Sequence, residues 1–452
     1  MTTGGGRRPE PEPSAFAVRS PGFKPRPRFI ARPPRPAAGS AYMKRWKKIA
    51  LALVALLALT QAPFACRAFR LARLGAAVDS LNAARAAAPP EEPLEEYAGV
   101  FHVHTHLGGH STGALEDVVR AAKAERLAFV VMTEHPSPLL DTAAATLRGA
   151  REGVLFLNGS ELVAGDGSRL FVVPGYAPPG GPHPPLRELI ARAKADGRLA
   201  VVGYPEEARG RAPSGHDGVE VYNLYTNSKR IRYAALLFDG LWSYWGRPEL
   251  LFARFYERPA ENLRRWDEYN ASGAGRAYAF AGADAHANVG LALQDQAGKK
   301  LLDVRLDPYE RSFRLVRTHV LLGKNEPFDE PALLAALGRG SFFLSFDVFG
   351  DPTGFRFTAA AYGGDGQVSR GFMGDEVTLP PGGDVRLGAR LPVQARTVFY
   401  RDGQAVNEVR DSARAELSVR ERGVYRVEVY LDRLGSLLDG RPWIISNPIF
   451  VR

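Results

Sequence analysis

The chain has a single cysteine, Cys66, in 452 residues. No intramolecular disulfide can form, and a cysteine-based metal site is excluded. Any metal chemistry must therefore rest on His, Asp and Glu. An excess of positive charge is also missing from most of the chain, although the net charge is +10. Residues 1–75 hold 15 Lys/Arg against two Glu, a net of +13, so the remainder carries −3. The basic footprint of a nucleic-acid binder is absent from the part able to fold, and no nucleic-acid partner is expected. No internal repeat is present, and the length suffices for two folded domains with extra segments.

Residues 1–43 are expected to be a disordered tail: residues 1–42 contain nine prolines and eight Arg/Lys and cannot bury a core. Met43 is followed by the basic cluster Lys44-Arg45-Trp46-Lys47-Lys48 and an unbroken apolar run, Ile49 to Leu59, extended to Cys66. That order of basic and apolar regions reads as a signal anchor or a signal peptide over 44–66. The 18 residues from Ile49 to Cys66 lie near the lower limit for a spanning helix. Positive-inside logic leaves Lys44–Lys48 in the cytoplasm and everything after Cys66 outside it, so the body is expected to be periplasmic, membrane-anchored or released. Residues 67–96 read as a helical stalk, with Pro89-Pro90 near its end.

From Tyr97 to about Ser345, short apolar runs alternate with helical patterns. The runs are Val100–His104, Phe129–Thr133, Val154–Leu157, Leu170–Val173, Leu199–Val202, Val219–Tyr222 and Tyr278–Ala281. Leu115–Glu125, Leu186–Ala195 and Pro331–Leu337 fit amphipathic helices. Apolar strands separated by helices make a parallel sheet covered by helices, and this stretch has the size of an α/β barrel. From Phe346 helical periodicity disappears. Alternating strands at Val385–Leu391, Thr397–Tyr400 and Tyr425–Tyr430, with turns at Pro381-Gly382-Gly383 and Asp402-Gly403, predict a small antiparallel β-sandwich over 346–452.

The apolar runs end in groups that bind metals or move protons: His102-Val103-His104, Thr133-Glu134-His135, Gly159-Ser160-Glu161 and Asp284-Ala285-His286. In an α/β barrel such groups converge on the mouth formed by the C-terminal strand ends. The period-two geometry of a strand points His102 and His104 the same way, and Asp284 and His286 repeat the spacing. Imidazoles with carboxylates suit Zn, Mn or Fe, and Glu161 has two oxygens with which to bridge two ions. Five of the nine histidines, His102, His104, His110, His135 and His286, occupy such positions. His106 has no evident role, and His183, His216 and His319 read as surface or structural. Lys229-Arg230 is equally an anion site or a solvated basic pair.

In this order, Phe101-His102-Val103-His104-Thr105, His110, Thr133-Glu134-His135, Gly159-Ser160-Glu161 and Gly282-Ala283-Asp284-Ala285-His286 resemble the successive motifs of the PHP (polymerase and histidinol phosphatase) superfamily. The resemblance covers about 97–345. The tail Arg441-Pro442-Trp443-Ile444-Ile445-Ser446-Asn447-Pro448-Ile449 further resembles the ending of an exported branch that includes carbamate and aryl-ester hydrolases. It implies a distorted seven-stranded (β/α) barrel with two or three divalent metals at its mouth. By resemblance His102, His104, Glu161 and Asp284 hold one ion, and His110, His135 and His286 a second. The chain departs from the pattern at Tyr204-Pro205, where the family has His-Pro, and at Gly175-Tyr176, where a family histidine is missing. Both losses fall in a third metal site, so two ions are expected, with Tyr204 in the third place and Asn223 also facing the mouth as a substrate-side residue. Glu134, where the family has Asp, is expected to orient a water or shuttle a proton, or else to orient His135.

These expectations add up to a metal-dependent hydrolase acting on small-molecule phosphoesters through water activated by two metals. The alternatives are hydrolysis of carboxylic or carbamic esters at the same centre, and a degenerate barrel that binds without turnover.

Overall fold

The computed structural model describes residues 39–87, 93–178, 181–207, 212–228, 239–240, 242–243, 246–288, 290–294, 300–305, 307–362 and 368–452. The expected disordered tail lies outside these residues as far as residue 38, and so do Pro89-Pro90 and Lys229-Arg230. The chain divides into two units, Met1–Gln61 and Ala62–Arg452.

A helix rich in Ala and Leu, good helix formers, runs over Gly39–Ala83. In the first unit Ile49, Leu51, Leu53, Val54, Leu56, Leu57 and Leu59 are exposed. By length and composition this helix could cross a membrane, a test that signal sequences also pass. In the second unit Leu71, Leu74, Val78 and Leu81 are buried at helical spacing and join an apolar cluster with Leu250 and Phe349. Gly75 lets the helix approach closely, since a Cβ there would lie 3.2 Å from Leu250. The segment expected as a stalk is seated on the body over this stretch.

Nine strands build the surroundings of the site: β1 (Leu94–Val103), β2 (Phe129–Met132), β3 (Gly149–Arg151), β4 (Val154–Leu157), β5 (Ser160–Val163), β6 (Arg169–Val173), β7 (Leu199–Gly203), β8 (Gly218–Asn223) and β9 (Tyr278–Ala285). Strands β2, β4, β7, β8 and β9 are buried along their whole length, and β2, β4 and β7 are apolar throughout because both faces are covered. Strand β1 runs parallel to β2 and β9, β9 to β8, and β8 to β7. Strands β6 and β5 continue antiparallel from β7. On the other side β4 is parallel to β2, and β5 meets the end of β2 through one isolated bridge, Glu134–Ser160. The architecture is a large mixed sheet with helices, and no regular ladder joins β5 to β2. The helices Leu115–Ala124 and Leu186–Ala195 bury Val118, Ala121 and Ala122, and Leu186, Leu189, Ile190 and Ala193.

The first half of β1 pairs antiparallel with Arg317–Gly323, which pairs with Phe342–Ser345, which pairs with Ile444–Ser446. Strand pairing therefore runs on across residue 345 into the C-terminal strands, and one apolar cluster includes Phe101, Phe343, Val427 and Ile445. Val385–Leu391 and Thr397–Tyr400 are two parts of a single 18-residue strand, Asp384–Arg401. Its partner Gln404–Val419 follows a two-residue turn in which Asp402 (φ 49°) and Gly403 (φ 83°) are both left-handed, the geometry of a type I′ hairpin.

Candidate metal centre

Strands β1, β2, β8 and β9 are parallel, so their C-terminal ends gather at one end of the sheet. This brings together His102 from β1 and His104 just beyond it, His135 from beyond β2, Asn223 from β8, Asp284 from β9 and His286 just beyond it. Glu161 arrives from β5 beside the Glu134–Ser160 bridge. The backbone is strained here: His102, Tyr204 and Asp284 have φ of 71°, 47° and 44°, unusual for residues with a Cβ. Both ladders of β1 skip a position between Phe101 and Val103, placing His102 on a bulge.

The side chains converge. Glu161 Oε2 lies 3.2 Å from both His102 Nε2 and His104 Nε2, and 3.5 Å from His135 Nε2. Asp284 Oδ1 lies 3.3 Å from His102 Nε2, 3.5 Å from His104 Nε2 and 3.4 Å from His286 Nδ1. The ring of His104 stacks between those of His135 and His286, at 4.8 and 4.6 Å between centroids. Two groups have ligand atoms mutually within 4.8 Å: His102, His104 and Glu161, and His104, His110 and His286. His104 belongs to both.

Three observations fit a cation among these atoms. Among the described residues, both ring nitrogens of fully buried His104, and Asp284 Oδ1, have no hydrogen-bond partner, a costly state for buried polar atoms. His286 Nδ1–H donates to the carbonyl of Asp284 at 2.8 Å, which leaves the Nε2 lone pair free. That lone pair faces His110 Nε2 at 2.7 Å, and two nitrogens so close require a shared proton or an ion. Burial pulls His104 down to about 3 and His135 down to about 4, keeping both neutral and able to ligate. Burial opposes charge on Glu161 and Asp284 too, but the neighbouring histidines, His102 foremost, outweigh it and hold both carboxyls below their usual range.

Around this core lies a ring of supporting contacts. His102 Nδ1–H donates to Glu220 Oε1 at 2.6 Å, and neither side chain is exposed. Burial raises Glu220 to about 7, while burial on His102 is outweighed by Asp284 and Glu220, which raise it. Asn223 Nδ2 donates to Glu220 Oε2 and Asp284 Oδ2, both at 3.2 Å. The Tyr204 hydroxyl donates to Asp284 Oδ2 at 2.7 Å. Gly282 gives this pair its space, because a Cβ there would sit 1.9 Å from Glu220 Oε1 and 2.8 Å from His102 Nδ1.

Glu134 is placed differently. Its carboxylate accepts from Thr105 N–H (3.0 Å), Thr105 Oγ1 (2.6 Å) and Thr146 Oγ1 (3.1 Å), and so ties down the loop that follows His104. Of the other histidines, His106 and His183 are exposed, whereas His216 and His319 are buried and structural. Two residues of the site escaped sequence reasoning, Glu220 and Arg169. Glu220 carried a legible signal, being one carboxylate inside the apolar run Val219–Tyr222, which needs a buried partner. Arg169 carried none, because it stands at the polar edge of its strand.

No family model matches the chain, and no curated protein matches it. Solved structures do. A two-domain protein from Bacteroides vulgatus, described as containing a predicted PHP-like metal-dependent phosphoesterase, is 12% identical, with 80% of this chain and 98% of that chain covered, at a TM-score of 0.36. PsfC from Pseudomonas syringae is 14% identical over 54% of this chain and 89% of its own, at 0.29. A Bifidobacterium adolescentis chain, assigned by prediction as a metal-dependent phosphoesterase, is 15% identical over 32% and 83%, at 0.21. Likenesses at these scores establish neither the fold nor the activity of this chain.

Proposed function

We propose that the chain is a metal-dependent hydrolase of phosphoesters, built on a seven-stranded barrel of the PHP type, with two divalent ions, Zn, Mn or Fe, and a site held outside the cytoplasm. The observation that carries this reading is a pair of buried atoms without hydrogen-bond partners among the described residues, His104 Nε2 and Asp284 Oδ1, facing carboxylate and imidazole atoms within 3.5 Å. His102, His104, Glu161 and Asp284 would hold one ion, and His110, His135 and His286 the other. Divalent ions in such a site lower the pKa of bound water and stabilise charge developing on a phosphoryl oxygen.

The chain's own residues do the positioning. Glu220 takes the Nδ1 proton of His102 as a hydrogen bond, which turns Nε2 inward as a ligand atom. Tyr204 and Asn223 occupy Asp284 Oδ2 and leave Oδ1 facing the histidines, which supports two ions rather than three. Glu134 fixes Thr105 and with it the turn carrying His104 toward His110, a positioning role rather than proton transfer. The test is turnover of chromogenic phosphomonoester, phosphodiester and carboxyl-ester substrates by the full chain, with and without EDTA. EDTA-sensitive phosphoester turnover is the expected result. Turnover of carboxyl esters alone would favour a carboxylic or carbamic ester hydrolase. Metal binding without any turnover would favour a binding barrel.

A further inference from the structure

Arg169 lies outside every ligand set above. It opens β6, and strand parity puts it on the same face as Phe171. The Phe171 ring packs 4.4 Å from the ring of His102, so this face looks into the candidate metal centre. Gly203, opposite on β7, leaves the room: a Cβ there would lie 2.6 Å from the Phe171 ring and 3.2 Å from Arg169 Cβ. The guanidinium reaches Glu161, with Nε 3.8 Å from Oε1. That is beyond hydrogen-bonding distance, and the side chain has no hydrogen-bond partner among the described residues. It is 33% exposed, while Glu161 is 2% exposed.

Glu161 is thereby divided. Oε2 faces His102, His104 and His135, whereas Oε1 faces Arg169. The outer side of this carboxylate meets a guanidinium whose N–H donors have no partner among the described residues and which is one third exposed. A guanidinium in that state is suited to a planar or tetrahedral oxyanion, which it can grip through two parallel N–H···O bonds.

Resting on the hydrolase reading for its site, we propose that Arg169 binds a non-bridging oxygen of an anionic ester and selects phosphoryl substrates over neutral carboxyl esters. It is a specificity residue and not a metal ligand. The decisive experiment is calorimetric titration of the metal-loaded full chain in detergent with inorganic phosphate, with the metal content of each sample measured in parallel. Arg169→Met keeps the aliphatic stem and should weaken phosphate binding by ~10-fold to ~100-fold at native metal content. Arg169→Lys restores charge without the fork and should recover part of that loss. Undiminished phosphate affinity in metal-replete Arg169→Met, or no phosphate binding by the native chain, overturns the proposal. If Arg169→Met loses metal, Arg169→Lys decides alone, and native phosphate affinity there overturns it. Phosphate binding that depends on Arg169 in a chain that hydrolyses no ester leaves this anchor standing and removes the hydrolase reading instead.

Discussion

Glu220 is the residue on which the account leans beyond the ligands themselves. A buried carboxylate hydrogen-bonded to the far nitrogen of a ligating imidazole fixes its tautomer and ring orientation. Glu220→Gln keeps the shape and removes the charge, and should raise the dissociation constant for metal by ~10-fold to ~100-fold. Metal titration against a chelating dye reads this directly; unchanged affinity would show that the contact does not orient His102. The side chains that converge were legible in the sequence because several His-, Asp- and Glu-bearing groups recur together at the ends of apolar runs, where a single His-x-His or Asp-x-His would carry little. The partners of those ligands were harder to see. Glu220 meets His102 across 118 positions of chain, and no local spacing encodes that contact. The two oxygens of Glu161 were visible as a bridge, but their division between histidines and Arg169 depends on the pairing of β5 with β6.

At the scale of elements, the strands bearing the site, except β5 with its polar start Ser160-Glu161, were readable because apolar runs bounded by polar clusters mark strands buried on both faces. The bulge at His102 and the left-handed Tyr204 and Asp284 were not, since nothing in those residue types demands a positive φ. The C-terminal strands were read as fragments because polar residues interrupt the long hairpin Asp384–Val419, whose exposed face needs no apolar pattern. His319 is a structural histidine of the β1 partner strand. It was grouped with surface or structural histidines, and is 1% exposed on the strand Arg317–Gly323, held between Glu96 (2.9 Å) and Asp347 (3.1 Å). Burial lowers its pKa, but Asp347 and Glu96 outweigh burial and lift it to about 9. A pKa raised on folding means stability that is complete below the unfolded value, near 6.5, and is lost as pH rises through about 9. The loss should be ~3 kcal/mol. Urea unfolding of the detergent-solubilised chain at pH 6 and pH 10 measures it. His319→Gln should be less stable at pH 6 and should lack most of this pH dependence; an equal loss in both proteins would remove His319 as the cause.

For the whole molecule, the first unit and the body make separate demands. The exposed apolar residues from Ile49 to Leu59 are explained if a bilayer covers them, with Lys44–Lys48 on the cytoplasmic side. An enzymatic reporter fused after Arg452 should then be active only outside the cytoplasm; activity from an intact fusion inside would reverse the orientation. The proposed boundary near Phe346 has to accommodate strand pairing that crosses it, from Phe343–Ser345 to Ile444–Ser446, and Asn447, which accepts from Ala279 N–H on β9 at 2.7 Å. Limited proteolysis should therefore leave the body uncut at 345–346 or release no stable half. The central claim is that buried, partnerless His104 and Asp284 atoms exist to hold metal. Elemental analysis of the purified chain beside His104→Ala tests it most directly. Two divalent ions per native chain, with at least one lost from His104→Ala, is the predicted result. A native chain without stoichiometric metal, or a His104→Ala chain that keeps all of it, would contradict the account.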